Sequence, residues 1–281
     1  MFTALISVTD LAAHLHDPQW IVFDCRYDLV DPAAGSRAYA QAHINGARLL
    51  HLEHDLSGTK TGRNGRHPLP DADGFYARLA ALGLSNQMQV VAYDGSGGAF
   101  AARLWWMLRE AGHHSVAVLD GGWNAWLKAG QPVSADLPAV TAGQFHGAPV
   151  ANMRVDAAFI EATLSHHETR IIDARSADRF RGENETLDPV GGHIPGASNR
   201  FFQNNLGADG CFKAAATLRA EFLALLGDTA PVQVVHQCGS GVTACHNQLA
   251  MEVAGLGGSR LYPGSWSEWC SDPRRPVATG A

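Results

Sequence analysis

The residue pattern in this chain best suited to covalent chemistry is a cysteine followed by glycines at the end of an apolar run. Cys238 ends the run VQVVHQC and is followed by Gly239, Ser240, Gly241, Val242 and Thr243, after which GVTACHNQLAMEVAG has the apolar period of a helix. A strand that enters a helix through such a loop puts the cysteine in the crevice where open α/β sheets bind ligands. Glycines allow successive backbone N–H groups to point inward, and the helix N-terminus adds partial positive charge. A sulfur at the focus of those donors is favoured as thiolate, the nucleophilic form. The pattern predicts Cys238 as a nucleophile, with Gly239, Ser240, Gly241, Val242 and Thr243 as the cradle that meets the substrate.

Two other chemistries use glycine-rich loops, and the details of this one argue against both. Gly239 to Ala244 fits the loose dinucleotide pattern G-x-G-x-x-A, but the acidic residue expected about 20 positions on is not evident, and the loop sits in the last full strand-helix unit. A cysteine phosphatase needs a cation to close its loop on phosphate, and Ala244 and Cys245 stand where that arginine would be. The other cysteines, Cys25, Cys211, Cys245 and Cys270, read as small buried hydrophobes. An odd count of five without a C-x-x-C pair predicts neither a disulfide scaffold nor a metal site, and no cofactor is expected.

The elements that must position this loop occur twice. WIVFDCR is echoed by TRIIDAR, AHINGA by GHIPGA, MQVVAYDGSG by VQVVHQCGSG, and LDGGW by YPGSW. The offsets are 149 (Asp24 to Asp173), 150 (His43 to His193), 144 (Asp94 to Cys238) and 143 (Trp123 to Trp266), which is the size of a domain rather than of a solenoid repeat. In each copy short Val/Ile-rich runs alternate with helical patterns, so the expected fold is α/β: two tandem domains, each a mainly parallel sheet with helices on both faces. Residues 1–135 form the first domain, 136–152 a Pro/Gly/Ala-rich linker running over the surface, and 153–281 the second. Asp94 holds the place of Cys238 in the first copy, so packing alone does not demand cysteine there. The histidines His43 and His193, and the pairs Asp24–Arg26 and Asp173–Arg175, recur in both copies and are read as scaffold, the pairs as buried salt bridges. Trp105, Trp106, Trp123 and Trp266 are read as packing.

Composition limits the partners. The 281 residues are 46% hydrophobic and 17% charged, which excludes disordered and coiled-coil classes, and the formal net charge of −6 offers no global field for a polyanion. Neither nucleic acid nor membrane is expected as a partner; a small solute is. The N-terminal MFTALISVTDLAAHL has no basic segment followed by an apolar run, which suggests a reducing, cytoplasmic location.

Taken in order, the duplicated D-x-R and H-I-x-G-A boxes, the Cys238 loop and the ending GSWSEW resemble the tandem-domain rhodanese sulfurtransferases over nearly the whole chain. The resemblance implies an inactive N-terminal domain, an active C-terminal one, and a Cys238 that alternates between thiol and persulfide. CGSGVT is similar to the loop of the branch that uses 3-mercaptopyruvate, whereas thiosulfate-preferring members carry two basic residues where Gly239 and Ser240 stand. Arg179, in DRFRGE, matches the family's first substrate arginine; near the second, ENETLDPVGG offers Asp188 instead. Ser240, His67 and Glu53 match the serine, histidine and acidic residue that move the donor's proton, with Asp55 as a nearby alternative to Glu53. The implied partners are a small anionic sulfur donor and an acceptor that is cyanide, a thiol or a protein. Thiosulfate as donor, and a non-catalytic persulfide carrier, are the competing expectations.

Overall fold

The computed structural model describes residues 1–165 and 168–281. The chain divides into two compact units: Met1–Gly58 with Leu69–Val150 and Ala208–Phe212, and Thr59–Pro68 with Ala151–Gly207 and Lys213–Ala281. Although it comes from the first half of the sequence, the segment that carries His67 is part of the second unit.

The first unit is built on strands β1 (Leu5–Ile6), β2 (Trp20–Asp24), β3 (His43–Ile44), β4 (Arg48–Leu49), β5 (Gln89–Tyr93), β6 (Val116–Leu119) and β7 (Val133–Ser134). Five of them form a parallel sheet in the order β1-β6-β5-β2-β4, and β3 pairs antiparallel with β7. Strands β5 and β6 are buried along their whole length, as parallel strands covered on both faces must be. Val22, Val91, Tyr93, Leu119 and Trp126 share the resulting core. The sequence from residue 136 to 150 packs along this unit. Phe145 is buried in it against Tyr76 and His113, and the backbone N–H groups of Gly143, Ala148 and Val150 donate to Ala80, Ala111 and Glu110.

The second unit has strands β8 (Arg170–Asp173), β9 (Ser198–Asn199), β10 (Val234–Gln237) and β11 (Arg260–Leu261), parallel in the order β11-β10-β8-β9. Ile171, Val235, Tyr262, Trp266 and Trp269 lie in its core. The first helix of each unit starts on a side-chain cap, Ser7 for Val8–His14 and Asp156 for Ala157–Thr163, with each cap oxygen accepting a backbone N–H three residues on.

The physics of the repeat is duplicated down to single bonds. Asp24 and Asp173 end β2 and β8 and hold Arg26 and Arg175 in buried ion pairs of 2.6 and 2.7 Å. Each arginine also donates to a carbonyl 2.6 Å away, Ala42 or Gly192, and lies over a tryptophan, Trp123 or Trp266, at 4.2 or 4.8 Å. His43 stacks on Tyr39 and His193 on Phe180, and a ring nitrogen of each contacts the carbonyl of the residue it stacks on. These histidines brace the scaffold.

Candidate active site

Cys238 is the first residue after β10, so the carboxyl edge of the sheet in the second unit delivers its thiol. The loop behind it is fixed from one side by residues 262–267. Cys238 N–H donates to Ser265 Oγ at 3.1 Å, whose hydroxyl donates on to the Tyr262 carbonyl. The N–H groups of Trp266 and Ser267 donate to the carbonyls of Cys238 and Gly239. Gly241 has φ of +75°, and a Cβ there would come within 2.2 Å of the Pro263 carbonyl oxygen, so only glycine fits. Val242 is buried, and Thr243 opens the eleven-residue helix Thr243–Val253, whose N-terminus adds partial positive charge behind the loop. Cys245 lies one turn into that helix, buried with its Sγ 3.4 Å from the Gly241 carbonyl.

The first copy shows what this loop shape collects. In place of a thiol, the Asp94 carboxylate accepts four backbone N–H bonds of 2.7 to 2.9 Å, from Ser96 and Gly98 on one oxygen and Phe100 and Ala101 on the other. Burial still holds Asp94 above the ordinary carboxylate range, with the four donors pulling the other way. The strand-to-helix loop of the fold gathers donors onto an anion, and the second unit puts sulfur at the matching position.

Two further groups meet the Cys238 loop within the second unit. His67 is buried with Nδ1 2.8 Å from Ser240 Oγ, itself buried, and the neighbouring Arg66 N–H donates to Ser267 Oγ. On the other side come the arginines. Measured from the position a Cβ would take on Gly239, Nη2 of Arg66 lies at 2.8 Å and Nη2 and Nη1 of Arg179 at 3.4 and 3.6 Å. Both guanidinium groups thus face the residue that follows Cys238. Asp188 pairs with both, one carboxylate oxygen on Arg66 and the other 3.4 Å from Arg179, and Glu185 holds Arg179 at 2.8 Å and Arg175 at 3.3 Å. Burial keeps Asp188 above the ordinary carboxylate range against the pull of Arg66; Glu185, buried as well, is brought below it by Arg179 and by backbone N–H donors. Burial lowers the proton affinity of the Arg175 guanidinium, but Asp173, Glu185 and the Cys238 sulfur outweigh it and raise the net value.

The structure therefore brings together Cys238, Gly239, Ser240, Gly241, Val242, Thr243, His67 and Arg179. Glu53 belongs to the first unit, where its backbone N–H donates to His51 Nδ1 and its charge, after burial, helps push the Tyr27 hydroxyl up to about 12. Asp55 accepts from the His51 N–H and from Arg78. Sequence reasoning missed Arg66. The only available signal was that it precedes His67, and the orientation of its side chain depends on how Thr59–Pro68 lies in the second unit. Among the described residues, no group of three or more His, Cys, Asp or Glu side chains is placed to hold a metal ion, and no helix is long and apolar enough to cross a membrane.

Comparison with known proteins gives the same outline. The chain matches the rhodanese-like domain twice, over residues 7–129 and 156–272. It is 48% identical to a probable 3-mercaptopyruvate sulfurtransferase of Pseudomonas aeruginosa, covering 98% of each chain. With the thiosulfate sulfurtransferase of Bos taurus it shares 32% identity over 96% of this chain and 92% of that one. Among solved structures, a 3-mercaptopyruvate sulfurtransferase from Leishmania major superposes with a TM-score of 0.83 at 31% identity, covering 95% of this chain and 74% of the other.

Proposed function

The chain belongs to the rhodanese family of sulfurtransferases, and from that premise we propose that it moves sulfur from 3-mercaptopyruvate through a Cys238 persulfide to cyanide, a thiol or a protein acceptor. The Cys238 thiolate attacks the donor's sulfur, and the carbon–sulfur bond breaks with its electron pair passing to the enolate of pyruvate. The proton that leaves the donor's thiol ends on the enolate carbon, so pyruvate and an enzyme persulfide are the products. An acceptor such as cyanide then takes the outer sulfur as thiocyanate and returns the thiolate.

The observation that carries this reading is the 2.8 Å contact between buried His67 and Ser240 beside Cys238. A serine paired with a histidine can take up and return a proton, and mercaptopyruvate is the donor that has one to move. Glu53 is the acidic member of this relay on the family resemblance. Arg179 holds the donor's carboxylate, and Gly239, Gly241, Val242 and Thr243 shape the cradle. On this reading residues 1–135 serve as the non-catalytic domain, 136–152 as linker and 153–281 as the catalytic domain. None of the five cysteines is in a disulfide among the described residues, which suits a reducing, cytoplasmic setting.

Thiosulfate is the second reading, favoured by the two guanidinium groups that face Gly239. There the thiolate attacks the sulfane sulfur, the sulfur–sulfur bond breaks and sulfite leaves with its electron pair. Side-by-side kcat/KM values for the two donors, with cyanide as acceptor, decide between them. A preference for mercaptopyruvate supports the proposal and a preference for thiosulfate overturns it. Absence of steady turnover with either donor would make the protein a persulfide carrier.

A further inference from the structure

We propose that Asp188 is a specificity-determining residue, which selects a singly charged sulfur donor by neutralising a two-arginine clamp formed by Arg66 and Arg179 beside Cys238. This rests on the reading of Cys238 as the sulfur acceptor and deepens it.

The two guanidinium groups converge on Gly239, the residue that follows the nucleophile. They share one carboxylate, with Asp188 placing an oxygen on each. The Asp188 side chain is only 2% exposed, whereas those of Arg66 and Arg179 keep 28% and 19% exposure, so the arginines present an open side while the acid sits behind them. With Glu185 on Arg179 and Arg175, and Asp173 on Arg175, three arginines here balance three carboxylates. Such a pocket has directional donors for one carboxylate but no surplus positive charge.

Mercaptopyruvate brings one negative charge towards the Cys238 thiolate, and thiosulfate brings two. Each additional charge costs more when the net charge of the site is zero, because like-charge repulsion inside a partly buried pocket is poorly screened. Asp188 is thus the residue whose neutralisation most directly frees positive charge for a dianion. The loop glycine leaves space for both guanidinium groups, since any Cβ at residue 239 would press on Arg66.

The experiment compares kcat/KM for thiosulfate and mercaptopyruvate, over a range of salt, in wild type, Asp188→Asn, Asp188→Glu and Arg66→Gln. Asp188→Asn should raise the thiosulfate-to-mercaptopyruvate ratio by about tenfold, roughly one unscreened charge at this range, and steepen the salt dependence of thiosulfate turnover. Asp188→Glu should return the ratio towards wild type, and Arg66→Gln should raise KM for both donors and lower the ratio. A parallel fall in both donors with Asp188→Asn, at unchanged ratio and salt dependence, overturns the proposal and leaves Asp188 a structural residue. If Asp188→Asn does not fold, Arg66→Gln decides, because unchanged KM values for both donors remove the clamp. A wild type that prefers thiosulfate sinks the donor assignment, while the shift in ratio between variants still tests Asp188.

Discussion

Nδ1 of His67 lies 2.8 Å from Oγ of Ser240, with both side chains buried and the two residues 173 positions apart in the sequence. A buried serine hydroxyl needs a hydrogen-bond partner, and a histidine is a partner that can also exchange a proton with it. On the proposed function the pair is a proton path. Ser240→Ala and His67→Gln should each lower kcat with mercaptopyruvate by roughly 10²-fold, the lower end of general acid–base contributions. Sulfur transfer from thiosulfate moves no proton, so single-turnover sulfite release should change far less. Equal losses with both donors would reduce the pair to a brace for the loop.

Persulfide chemistry should be confined to one of the five thiols. Cys238→Ser should abolish transfer with the fold intact, because serine fits the space and cannot carry sulfur. Cys245→Ser should remain active, since that thiol sits behind the loop, buried against the Gly241 carbonyl. Cys25 and Cys270 are held as thiols, Cys25 well above its ordinary range by burial with Asp24 beside it, and Cys270 pushed by burial up to about 11. Mass spectrometry after donor treatment should find one added sulfur atom, on Cys238. Finding it on Cys245 or Cys270 would falsify the nucleophile assignment.

Cys238 and its loop stood out in the sequence because duplication supplies an internal control. Asp94 in the matching loop shows that the backbone shape does not need cysteine, and the structure shows the same shape gathering four N–H donors onto a carboxylate. The buried Asp–Arg pairs were legible for the same reason, since both copies kept them. Arg66 was not legible. Its role depends on where Thr59–Pro68 packs, and no periodicity in RNGRHPLP encodes a destination outside its own copy. Asp188 was visible only as a residue standing where an arginine was expected, and its bonds to two other arginines required coordinates.

His236 makes the acid limb of stability testable. It lies in β10, fully buried, with Nε2 3.1 Å from Met251 Sδ and Nδ1 without a hydrogen-bond partner among the described residues, and burial followed by the nearby Arg200 charge lowers it to about 3. An unfolded histidine titrates near 6.5, so between about 6.5 and 3 the unfolded chain binds a proton that the native one does not. Stability is therefore lost as pH falls through that window. From pH 7 to pH 5 this residue alone should cost about 2 kcal/mol. Denaturant midpoints at the two pH values should fall less in His236→Gln than in wild type, and identical slopes would show that His236 is protonated while folded.

The loop itself should be convertible from one donor to the other. Thiosulfate is a dianion approaching a thiolate, and cations close to the sulfur offset that repulsion. Gly239 is not in the left-handed region, so its backbone accepts a side chain, and the atom nearest a new Cβ is the terminal nitrogen of Arg66, the flexible end of a long side chain. Gly239→Arg therefore adds positive charge without a backbone clash, displacing Arg66 at modest cost. Ser240→Lys adds a second charge and at the same time removes the hydroxyl that meets His67. The double variant should raise thiosulfate kcat/KM and depress that for mercaptopyruvate, moving their ratio by more than about tenfold, the combined effect of added charge and a lost proton relay. The decisive measurement is the donor ratio in the variant and the wild type under one buffer and one acceptor. If wild type already favours thiosulfate strongly and the replacement leaves the ratio unchanged, neither residue selects the donor, and selection must lie with the arginines and carboxylates alone.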